Sequence, residues 1–336
     1  MFENKTVLIT GGSGYLGQAL TKRLLDFNVK AIRILSRNES LQVSMQRNLS
    51  ENINKLSFFI GDIRDLPRLN RALEDVDIVF HTAALKHVPV IEYNPFEAIK
   101  TNIVGTQNLI DACIEQDVEK VIGISTDKAV SPLNTYGASK LLMEKLFITA
   151  SNFLNPQRHK TKFVTLRYGN VFGSSGSVVP LWINQIQKNE KITITDSQMT
   201  RFSIMMQDAL DFIISAATIG KGSEIFVPKL RAYTIPDLKK SLIELLGETG
   251  ESITGIRSGE KLHEILINKD EMRFTWEYEG NYVIFNPMLN DSEIKTKYPG
   301  IKKVENLDEY SSDIVEKIPV SELKQLLSNS GLIENG

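Results

Sequence analysis

The sequence predicts an α/β protein with a Rossmann-type, doubly wound parallel sheet and a smaller C-terminal substrate-binding lobe. Short apolar segments alternate with longer segments of helical periodicity through the first half of the chain. The segments that begin at Thr6, Asp77 and Val121 are almost continuously apolar, which is typical of strands buried on both faces of a parallel sheet. Such strands in β-α-β-α order favour a doubly wound fold.

Each element follows from its local pattern and length. We predict strands at Thr6–Thr10, Ala31–Leu35, Leu56–Ile60, Asp77–Phe80, Val121–Ser125, Phe163–Leu166 and Glu224–Val227. We predict helices at Tyr15–Phe27, Leu66–Glu74, Ala98–Gln116, Thr135–Phe153 and Val320–Ser328.

The pattern changes after about Gly173, where a stretch rich in glycine and serine precedes mixed short elements. We therefore predict a dinucleotide-binding domain at residues 1–172, with returning segments near 203–228. The substrate-binding lobe is expected mainly at 173–288, followed by a charged tail at 289–336.

Composition limits the kind of protein this can be. With 336 residues, 42% hydrophobic and 24% charged, the chain is typical of a globular protein. Its formal net charge of -2 gives no general attraction to nucleic acid or to an anionic membrane. The single cysteine, Cys113, fits a reducing compartment, and no signal peptide or membrane span is evident, so we expect a cytoplasmic protein. The four histidines and Cys113 lack metal-ligand spacing, so we expect no metal.

A glycine-rich turn follows the first predicted strand. Its glycines open a helix, where they allow a tight turn, close approach of the backbone to a pyrophosphate, and close helix–strand packing. A purely structural turn is the alternative, but the strand before it and the helix after it favour a dinucleotide site. The predicted cofactor contacts here are Gly11, Ser13, Gly14, Tyr15, Leu16 and Gly17.

The second predicted strand runs into Ser36 and Arg37, at a place where an NAD site usually carries an acidic residue. Ser36 can instead hydrogen-bond a 2′-phosphate, and Arg37 can pair with it. We therefore expect NADP rather than NAD, with a solvated surface arginine as the alternative. The next two strands are followed by further predicted cofactor contacts: Asp62 and Ile63 at the adenine, then Ala83 and Ala84 at the ribose.

Tyr136 and Lys140 indicate proton chemistry. At i,i+4 on a helix their side chains project from the same face, and a lysine ammonium beside a phenol favours the phenolate. Bringing a phenol pKa from about 10 to about 7 takes roughly 4 kcal/mol of extra stabilisation of the anion. Lys140 and an oxidised nicotinamide can supply it together. This pair, preceded by Ser125 and Thr126, predicts removal of a proton from an alcohol while a cofactor takes its hydride.

The glycine loop, the Ser125-Thr126 pair and the Tyr136-to-Lys140 spacing resemble the extended short-chain dehydrogenase/reductase superfamily. Within it, five further motifs resemble the inverting UDP-N-acetylglucosamine 4,6-dehydratases, which begin pseudaminic acid synthesis. These motifs are Ala84-Leu85-Lys86-His87-Val88-Pro89, Thr126-Asp127-Lys128-Ala129, Arg167-Tyr168-Gly169-Asn170-Val171, Met199-Thr200-Arg201-Phe202 and Gly259-Glu260-Lys261-Leu262-His263-Glu264. The resemblance runs from about residue 5 to about residue 285.

The resemblance implies an internal redox cycle. In the first step, Tyr136 removes the O4 proton while the C4 hydride passes to NADP. The resulting 4-keto group acidifies the proton at C5, so water is eliminated across C5 and C6. The hydride then returns to C6. Retaining dehydratases carry an Asp-Glu pair where this chain has Asp127-Lys128, so the resemblance implies inversion at C5. The site then needs a neutral Lys128 to take the C5 proton and a protonated Asp127 to assist loss of the C6 hydroxyl. A solvated surface pair is the alternative.

By the same resemblance, UDP-N-acetylglucosamine is bound by residues of both lobes. Arg201 and Arg257 pair with the diphosphate, Asn170 bonds the phosphate or the sugar, and Glu260 accepts from the uridine ribose. The remaining predicted contacts are Lys86 and His87, at the cofactor or hexose, and Val178 and Thr193, at the uracil. A solvated or structural role is the alternative for each residue taken alone.

Two other functions are left open. Tyr136 and Lys140 also permit a retaining 4,6-dehydratase or a 4-epimerase on a UDP-sugar, although Lys128 argues against a retaining mechanism of the Asp-Glu type. A non-catalytic NADP-sensing module is the second, and the intact tyrosine and lysine argue against it.

The helices predicted at Ala98–Gln116 and Thr135–Phe153 correspond to the pair that forms a four-helix dimer interface in the superfamily, so we expect a homo-oligomer. Their apolar positions suit a core equally well.

Overall fold

The computed structural model describes residues 1–151, 154–155, 157–174, 176–257 and 259–333. Its strands are β1 (Thr6–Thr10), β2 (Ala31–Ser36), β3 (Leu56–Ile60), β4 (Ile78–His81), β5 (Lys120–Ile124), β6 (Lys162–Leu166), β7 (Asn170–Val171), β8 (Ile192–Ile194), β9 (Thr200–Ile204), β10 (Glu224–Pro228), β11 (Ala232–Thr234), β12 (Glu251–Ile253), β13 (Ile265–Ile267), β14 (Thr275–Tyr278), β15 (Asn281–Phe285), β16 (Lys302–Lys303) and β17 (Tyr310–Ser311).

The α-helices are α1 (Tyr15–Leu25), α2 (Glu39–Asn48), α3 (Leu66–Leu73), α4 (Val88–Tyr93), α5 (Pro95–Ala98), α6 (Gly105–Glu115), α7 (Thr135–Ala150), α8 (Val178–Gln187), α9 (Met206–Ile219), α10 (Ile235–Leu246), α11 (Lys269–Met272), α12 (Asp291–Lys297) and α13 (Val320–Asn329). A π-helical segment at Ile99–Val104 joins α5 to α6, and 3₁₀ turns lie at Ser50–Lys55 and Asp127–Ala129.

Ten strands form one sheet in the order β16-β14-β15-β10-β6-β5-β4-β1-β2-β3. The seven strands from β10 to β3 are parallel. Read from the β3 edge, six of them follow the order β3-β2-β1-β4-β5-β6, which is the doubly wound order. β15, β14 and β16 extend the sheet in antiparallel pairings. The predicted α/β fold with a parallel sheet is confirmed.

Burial explains why the apolar segments became central strands. Every residue of β1, β4 and β5 is buried, as expected when helices cover both faces of a sheet. One face packs against α1 and α9, and the other packs against α3, α6 and α7. Because these strands are parallel, their carboxyl ends meet along one edge of the sheet, where ligands bind in such folds.

The smaller lobe has its own apolar core, to which α8, α10 and α13 contribute Trp182, Leu238 and Leu323. The chain returns to the large sheet with α9 and β10, and again with β14 and β15. α13, which belongs to the predicted tail, packs in the core of the smaller lobe. The lobes are thus interleaved along the chain, and the boundaries at 172 and 288 stay a prediction.

Several elements differ from the sequence prediction. α2 was missed because its residues are mostly polar; it begins where the Asn38 side chain accepts a hydrogen bond from the Leu41 N–H at 2.9 Å. The long helix predicted at 98–116 is divided into α5, the π-helical segment and α6. α7 ends at Ala150, and its predicted end at Phe153 lies outside the described residues.

Within the described part of the chain, no helix has the length and apolar character needed to cross a membrane.

Candidate active site

The predicted site residues gather at the carboxyl edge of the large sheet and on the facing lobe. Gly11, Ser13 and Gly14 lie in the turn between β1 and α1, and Tyr15, Leu16 and Gly17 begin α1. Ser36 ends β2 and Arg37 follows it; Asp62 and Ile63 follow β3; Ala83, Ala84, Lys86 and His87 follow β4; Thr126, Asp127 and Lys128 follow β5; Tyr136 and Lys140 lie on α7; Asn170 begins β7.

The turn after β1 has a shape that only glycine allows. Gly11 has a φ of +69°, and a Cβ there would lie 2.9 Å from the backbone of Ala83. A Cβ on Gly17 would lie 2.5 Å from the Cα atom of Gly12. Gly14 caps the N-terminus of α1 without a side-chain hydrogen bond, and no acidic residue occupies the first turn. The free N–H groups and the positive end of the helix dipole fit a pyrophosphate.

The end of β2 presents a hydroxyl and a guanidinium. The Ser36 hydroxyl accepts hydrogen bonds from the Ser13 hydroxyl at 2.8 Å and from the Gln42 amide at 2.9 Å. Arg37 is half exposed, and a terminal nitrogen of its guanidinium lies 3.7 Å from a carboxylate oxygen of Asp62. Asp62 is held more closely by Arg64, at 2.7 Å. Arg37 is therefore free to turn towards an anion at this edge.

Two of the predicted cofactor contacts, Asp62 and Ile63 after β3, differ in charge and in burial. Burial raises the pKa of Asp62, but its bonds with Arg64 and the charge of Arg37 outweigh this effect and bring the pKa below its ordinary value. Asp62 is thus an anion at neutral pH. Ile63 is buried and packs against α6 at Gly105, where a Cβ would lie 2.7 Å from the Ile63 side chain. Ile63 contributes to the core as well as to the edge.

Asp127 and Lys128 form a close pair in the 3₁₀ turn after β5. The Lys128 ammonium donates to the two Asp127 carboxylate oxygens at 3.1 and 3.2 Å. The Thr126 hydroxyl donates to one of the same oxygens at 2.7 Å. Asp127 is only 2% exposed, whereas the Lys128 side chain is 31% exposed. The pair is thus built into the protein rather than solvated, contrary to the surface alternative.

The charge of Lys128 differs from the neutral amine that we expected. Burial lowers the pKa of Lys128, but the negative charges of Asp127 and Glu264 outweigh it and raise the pKa above its ordinary value. Lys128 also donates to the side-chain oxygen of Asn170 at 3.3 Å. With three oxygen acceptors around the nitrogen, the structure favours the ammonium.

Tyr136 and Lys140 share α7, but different neighbouring groups shift their pKa values. The Lys140 amine donates to the Ile124 carbonyl oxygen at 2.7 Å, and burial lowers the pKa of Lys140 to about 8 despite the opposing charge of Glu144. Burial raises the pKa of Tyr136 to about 12, although the positive charge of Lys128 lowers it. In the protein without nucleotide, the cation that lowers the pKa of this phenol is Lys128. The assignment of that effect to Lys140 together with an oxidised nicotinamide stays a prediction.

A cavity of about 360 Å³ opens beside the pair. All eight predicted substrate residues line it: Lys86, His87, Asn170, Val178, Thr193, Arg201, Arg257 and Glu260. Asp127 and Lys128 also line it, whereas its described lining does not include Thr126, Tyr136 or Lys140. Five lysine and arginine side chains (Lys86, Lys128, Arg201, Arg257 and Lys261) line this one cavity, which suits a ligand with several negative charges.

Sequence reasoning missed Glu264, which also lines this cavity. Glu264 is 4% exposed and accepts hydrogen bonds from the Asn170 amide at 2.6 Å and the Phe202 N–H at 2.8 Å. Burial, reinforced by the charge of Asp127, raises its pKa to about 7. Its motif, Gly259 to Glu264, was recognised, but only Glu260 was assigned a role. An acidic residue directly before a short apolar strand was the signal available.

Comparison with known proteins places this architecture in a family. The sequence model described as "Polysaccharide biosynthesis protein" matches residues 7–286. The chain is similar to UDP-N-acetylglucosamine 4,6-dehydratase (inverting) of Campylobacter jejuni, at 46% identity over 321 residues, which are 93% of this chain and 94% of the relative. It is also similar to UDP-glucose 4-epimerase of Rickettsia felis, at 41% identity over 341 residues, 99% of this chain and 98% of the relative.

Among solved structures, the X-ray structure of Pen from Bacillus thuringiensis superposes with a TM-score of 0.90 at 38% identity, covering 99% of both chains. Family and fold thus agree over nearly the whole chain, and the resemblance predicted from the motifs is confirmed. The chain belongs to the polysaccharide biosynthesis protein family, within the extended short-chain dehydrogenase/reductase superfamily.

Proposed function

We propose that this protein is an NADP-dependent UDP-N-acetylglucosamine 4,6-dehydratase that inverts C5 of the sugar. Its product is a UDP-4-keto-6-deoxy-L-arabino-hexosamine. The observation that carries the proposal is the close Asp127–Lys128 pair in the wall of a cavity that holds all eight predicted substrate residues. The Campylobacter relative, which bears the name of this activity, supports the substrate and the reaction.

Tyr136 is the proposed base for the O4 proton of the hexose. Its pKa of about 12 means that the phenol keeps its proton at neutral pH unless further positive charge lies beside it. When bound, NADP supplies the hydride acceptor and a positively charged ring. The Lys128 ammonium already favours the phenolate, so the residues of this chain provide part of the required stabilisation.

Lys128 is the proposed base for the C5 proton, and Asp127 is the proposed acid for the departing C6 hydroxyl. Both groups belong to one buried turn, so a hexose that contacts one of them also lies beside the other. The structure holds Lys128 charged, and a proton must leave its nitrogen before it can accept one from carbon.

The experiment is incubation with UDP-N-acetylglucosamine in deuterated water, followed by NMR. We expect a 4-keto-6-deoxy product with deuterium at C5 and the L-arabino configuration. A D-xylo product overturns the role given to Lys128, because proton removal and return then take place on one face. Consumption of a different hexose, with UDP-N-acetylglucosamine untouched, overturns the substrate.

A UDP-sugar 4-epimerase is the second candidate, favoured by the Rickettsia relative of that name. Epimerisation needs Tyr136 but has no use for an acid–base pair at C5 and C6. The same spectra decide between the two, because an epimer keeps its C6 hydroxyl and exchanges no C5 proton. Lys128 and Asp127 at the cavity wall favour dehydration.

The preference for NADP is proposed on Ser36 and Arg37. Arg37→Met removes the only cation that we assign to the 2′-phosphate and is expected to weaken NADP binding at least about tenfold while leaving NAD binding unchanged. Arg47→Met, on the exposed side of α2, is the matched control. Equal loss for both nucleotides, or no loss for NADP, contradicts the assignment.

We also propose a homo-oligomer, at least a dimer, in the cytoplasm. Leu109, Ile110 and Phe147 are buried in the core, so they do not form its interface. Tyr93 and Phe96, on α4 and α5 beside α7, are 88% and 62% exposed and are better candidates. Light scattering is expected to show a dimer or larger assembly that Phe96→Glu dissociates; a monomer at every concentration refutes the proposal. Met288→Glu, at another exposed apolar side chain, is the control.

A further inference from the structure

A chain of hydrogen bonds links the catalytic pair to a second carboxylate that lines the cavity. Lys128 donates to the Asn170 side-chain oxygen at 3.3 Å, and the Asn170 side-chain nitrogen donates to Glu264 at 2.6 Å. Asn170 and Glu264 are 94 residues apart in sequence. The two ends of this amide thus touch two ionisable groups of opposite charge.

The amide orientation depends on both charges. An ammonium has only protons to offer and an ionised carboxylate has only acceptors, so the Asn170 oxygen must face Lys128 and its nitrogen must face Glu264. One Glu264 oxygen accepts from the Phe202 N–H and the other faces Asn170. When the oxygen that faces Asn170 carries the proton, its O–H donates to the amide oxygen, and the amide turns its nitrogen towards Lys128. The N–H group of the turned amide then needs an acceptor at Lys128. Only the neutral amine has a free lone pair, so this orientation of Asn170 suits neutral Lys128.

We infer that Glu264 is a positioning residue that controls the protonation of Lys128 through Asn170. This inference rests on the proposed function, in which Lys128 must become neutral to take the C5 proton. The unit has two matched states: charged Lys128 with ionised Glu264, and neutral Lys128 with protonated Glu264. One N–H bond breaks at Lys128 and one O–H bond forms at Glu264, so the net charge of the unit is unchanged.

The surroundings of Glu264 support a change of charge near neutral pH. Its burial and the nearby Asp127 raise its pKa to about 7, and the positive charges of Lys128 and of Arg201, whose guanidinium nitrogen lies 3.6 Å away, oppose that rise. The charged or titratable groups that face Glu264 or Lys128 are Asp127, Tyr136, Arg201, Tyr233 and Lys261. Of these, Tyr136 and Tyr233 are neutral at pH 7, and Lys261 points its amine at the Val130 carbonyl oxygen.

The direct test follows Lys128 in the full-length protein without sugar nucleotide. NMR of ¹⁵N-lysine-labelled protein, with the Lys128 signal assigned by its loss in Lys128→Arg, gives the titration of that one amine. Glu264→Gln removes the negative charge, so the proton affinity of Lys128 is expected to fall about tenfold or more. Glu264→Asp keeps the charge and is expected to restore most of it. Glu277→Gln, whose carboxylate pairs with Lys229 on the far side of the sheet, is the control.

An unchanged Lys128 titration in Glu264→Gln overturns the inference. If that variant fails to fold, Asn170→Ala tests the same link, because it removes the bridge and leaves both charges. A smaller fall in Lys128 proton affinity is then expected than for Glu264→Gln, and an unchanged titration again refutes the link.

Turnover gives the second readout. With UDP-N-acetylglucosamine, the limb of the kcat/KM profile that rises with pH is expected to move to lower pH in Glu264→Gln, since Lys128 loses its proton more readily. A purely structural role lowers activity at every pH and leaves the limb in place, which overturns the inference. If no variant dehydrates the sugar, the proposed function fails, and the NMR titration still decides whether Glu264 controls Lys128.

Discussion

Lys128 contacts both carboxylate oxygens of Asp127, at 3.1 and 3.2 Å, although the two residues are neighbours in the chain. Consecutive side chains of an extended strand point to opposite faces. Here β5 ends at Ile124, and the 3₁₀ turn at 127–129 brings both side chains to one side. The acid–base pair is therefore made by a local turn, and the sheet edge decides where it lies.

Lys128→Ala is expected to lower dehydration by about 10² to 10⁴-fold, which is the usual contribution of a general base. NADP binding is expected to stay unchanged, because the turn between β1 and α1 does not use this lysine. Product formation by NMR and nucleotide binding by calorimetry are the measurements. Lys324→Ala, which removes a surface pair with Glu244, is the control. A fully active Lys128→Ala protein shows that the pair is only structural.

Tyr136 is expected to ionise only near its pKa of about 12 in the protein without nucleotide, because burial outweighs the attraction of Lys128. Oxidised NADP adds positive charge beside the phenol and is expected to lower that pKa. Near-ultraviolet difference spectra of wild type against Tyr136→Phe follow the ionisation. A phenolate that forms at neutral pH without nucleotide contradicts the assignment. Tyr136→Phe is also expected to lose turnover by about 10² to 10⁴-fold.

Arg167 ties distant segments of the chain together from within the protein. Its guanidinium lies 2.6 Å from Glu144 on α7 and 2.8 Å from Glu271 on α11, and Arg167 and Glu144 are almost completely buried. Arg167→Met takes from these two carboxylates the cation that pairs with them and is expected to lower the free energy of unfolding by about 3–5 kcal/mol. Urea denaturation measures the loss. Arg273→Met, which removes an exposed pair with Asp270, is expected to cost no more than about 1 kcal/mol. Equal losses in the two variants refute the prediction.

His81 makes stability depend on pH. Burial, with a smaller contribution from the charge of Lys140, lowers its pKa from 6.5 to about 3, and its ring contacts the hydroxyls of Thr10 and Thr106. Because the folded-state pKa is depressed, the neutral ring stabilises the protein above pH 6.5, and this contribution is lost as the pH falls towards 3. The loss is expected to be roughly 1.4 kcal/mol per pH unit in that window.

Urea denaturation at several pH values in that range checks this expectation. In His81→Gln the corresponding part of the pH dependence is expected to disappear, while His159→Gln keeps the wild-type slope. The same slope in wild type and His81→Gln shows that other groups cause the pH dependence.

Local sequence determined the elements that depend on near neighbours. Continuous apolar residues predicted β1, β4 and β5, because a strand buried on both faces has no polar side to show. The glycines of the first turn predicted its shape, because only a residue without Cβ fits where Gly11 and Gly17 lie. Asp127 and Lys128 were predictable as a pair because they are neighbours in the chain and belong to one turn.

Tertiary structure decided what depends on distant parts of the chain. Glu264 reaches Asn170 from 94 residues away, and no local pattern records that approach. The charge of Lys128 and the pKa of Tyr136 also depend on burial and on these distant neighbours, so local sequence does not determine either. The chain itself thus specifies which chemical groups stand at the sheet edge. Their protonation states are set by packing, because the energy of a charge depends on every group and solvent molecule around it.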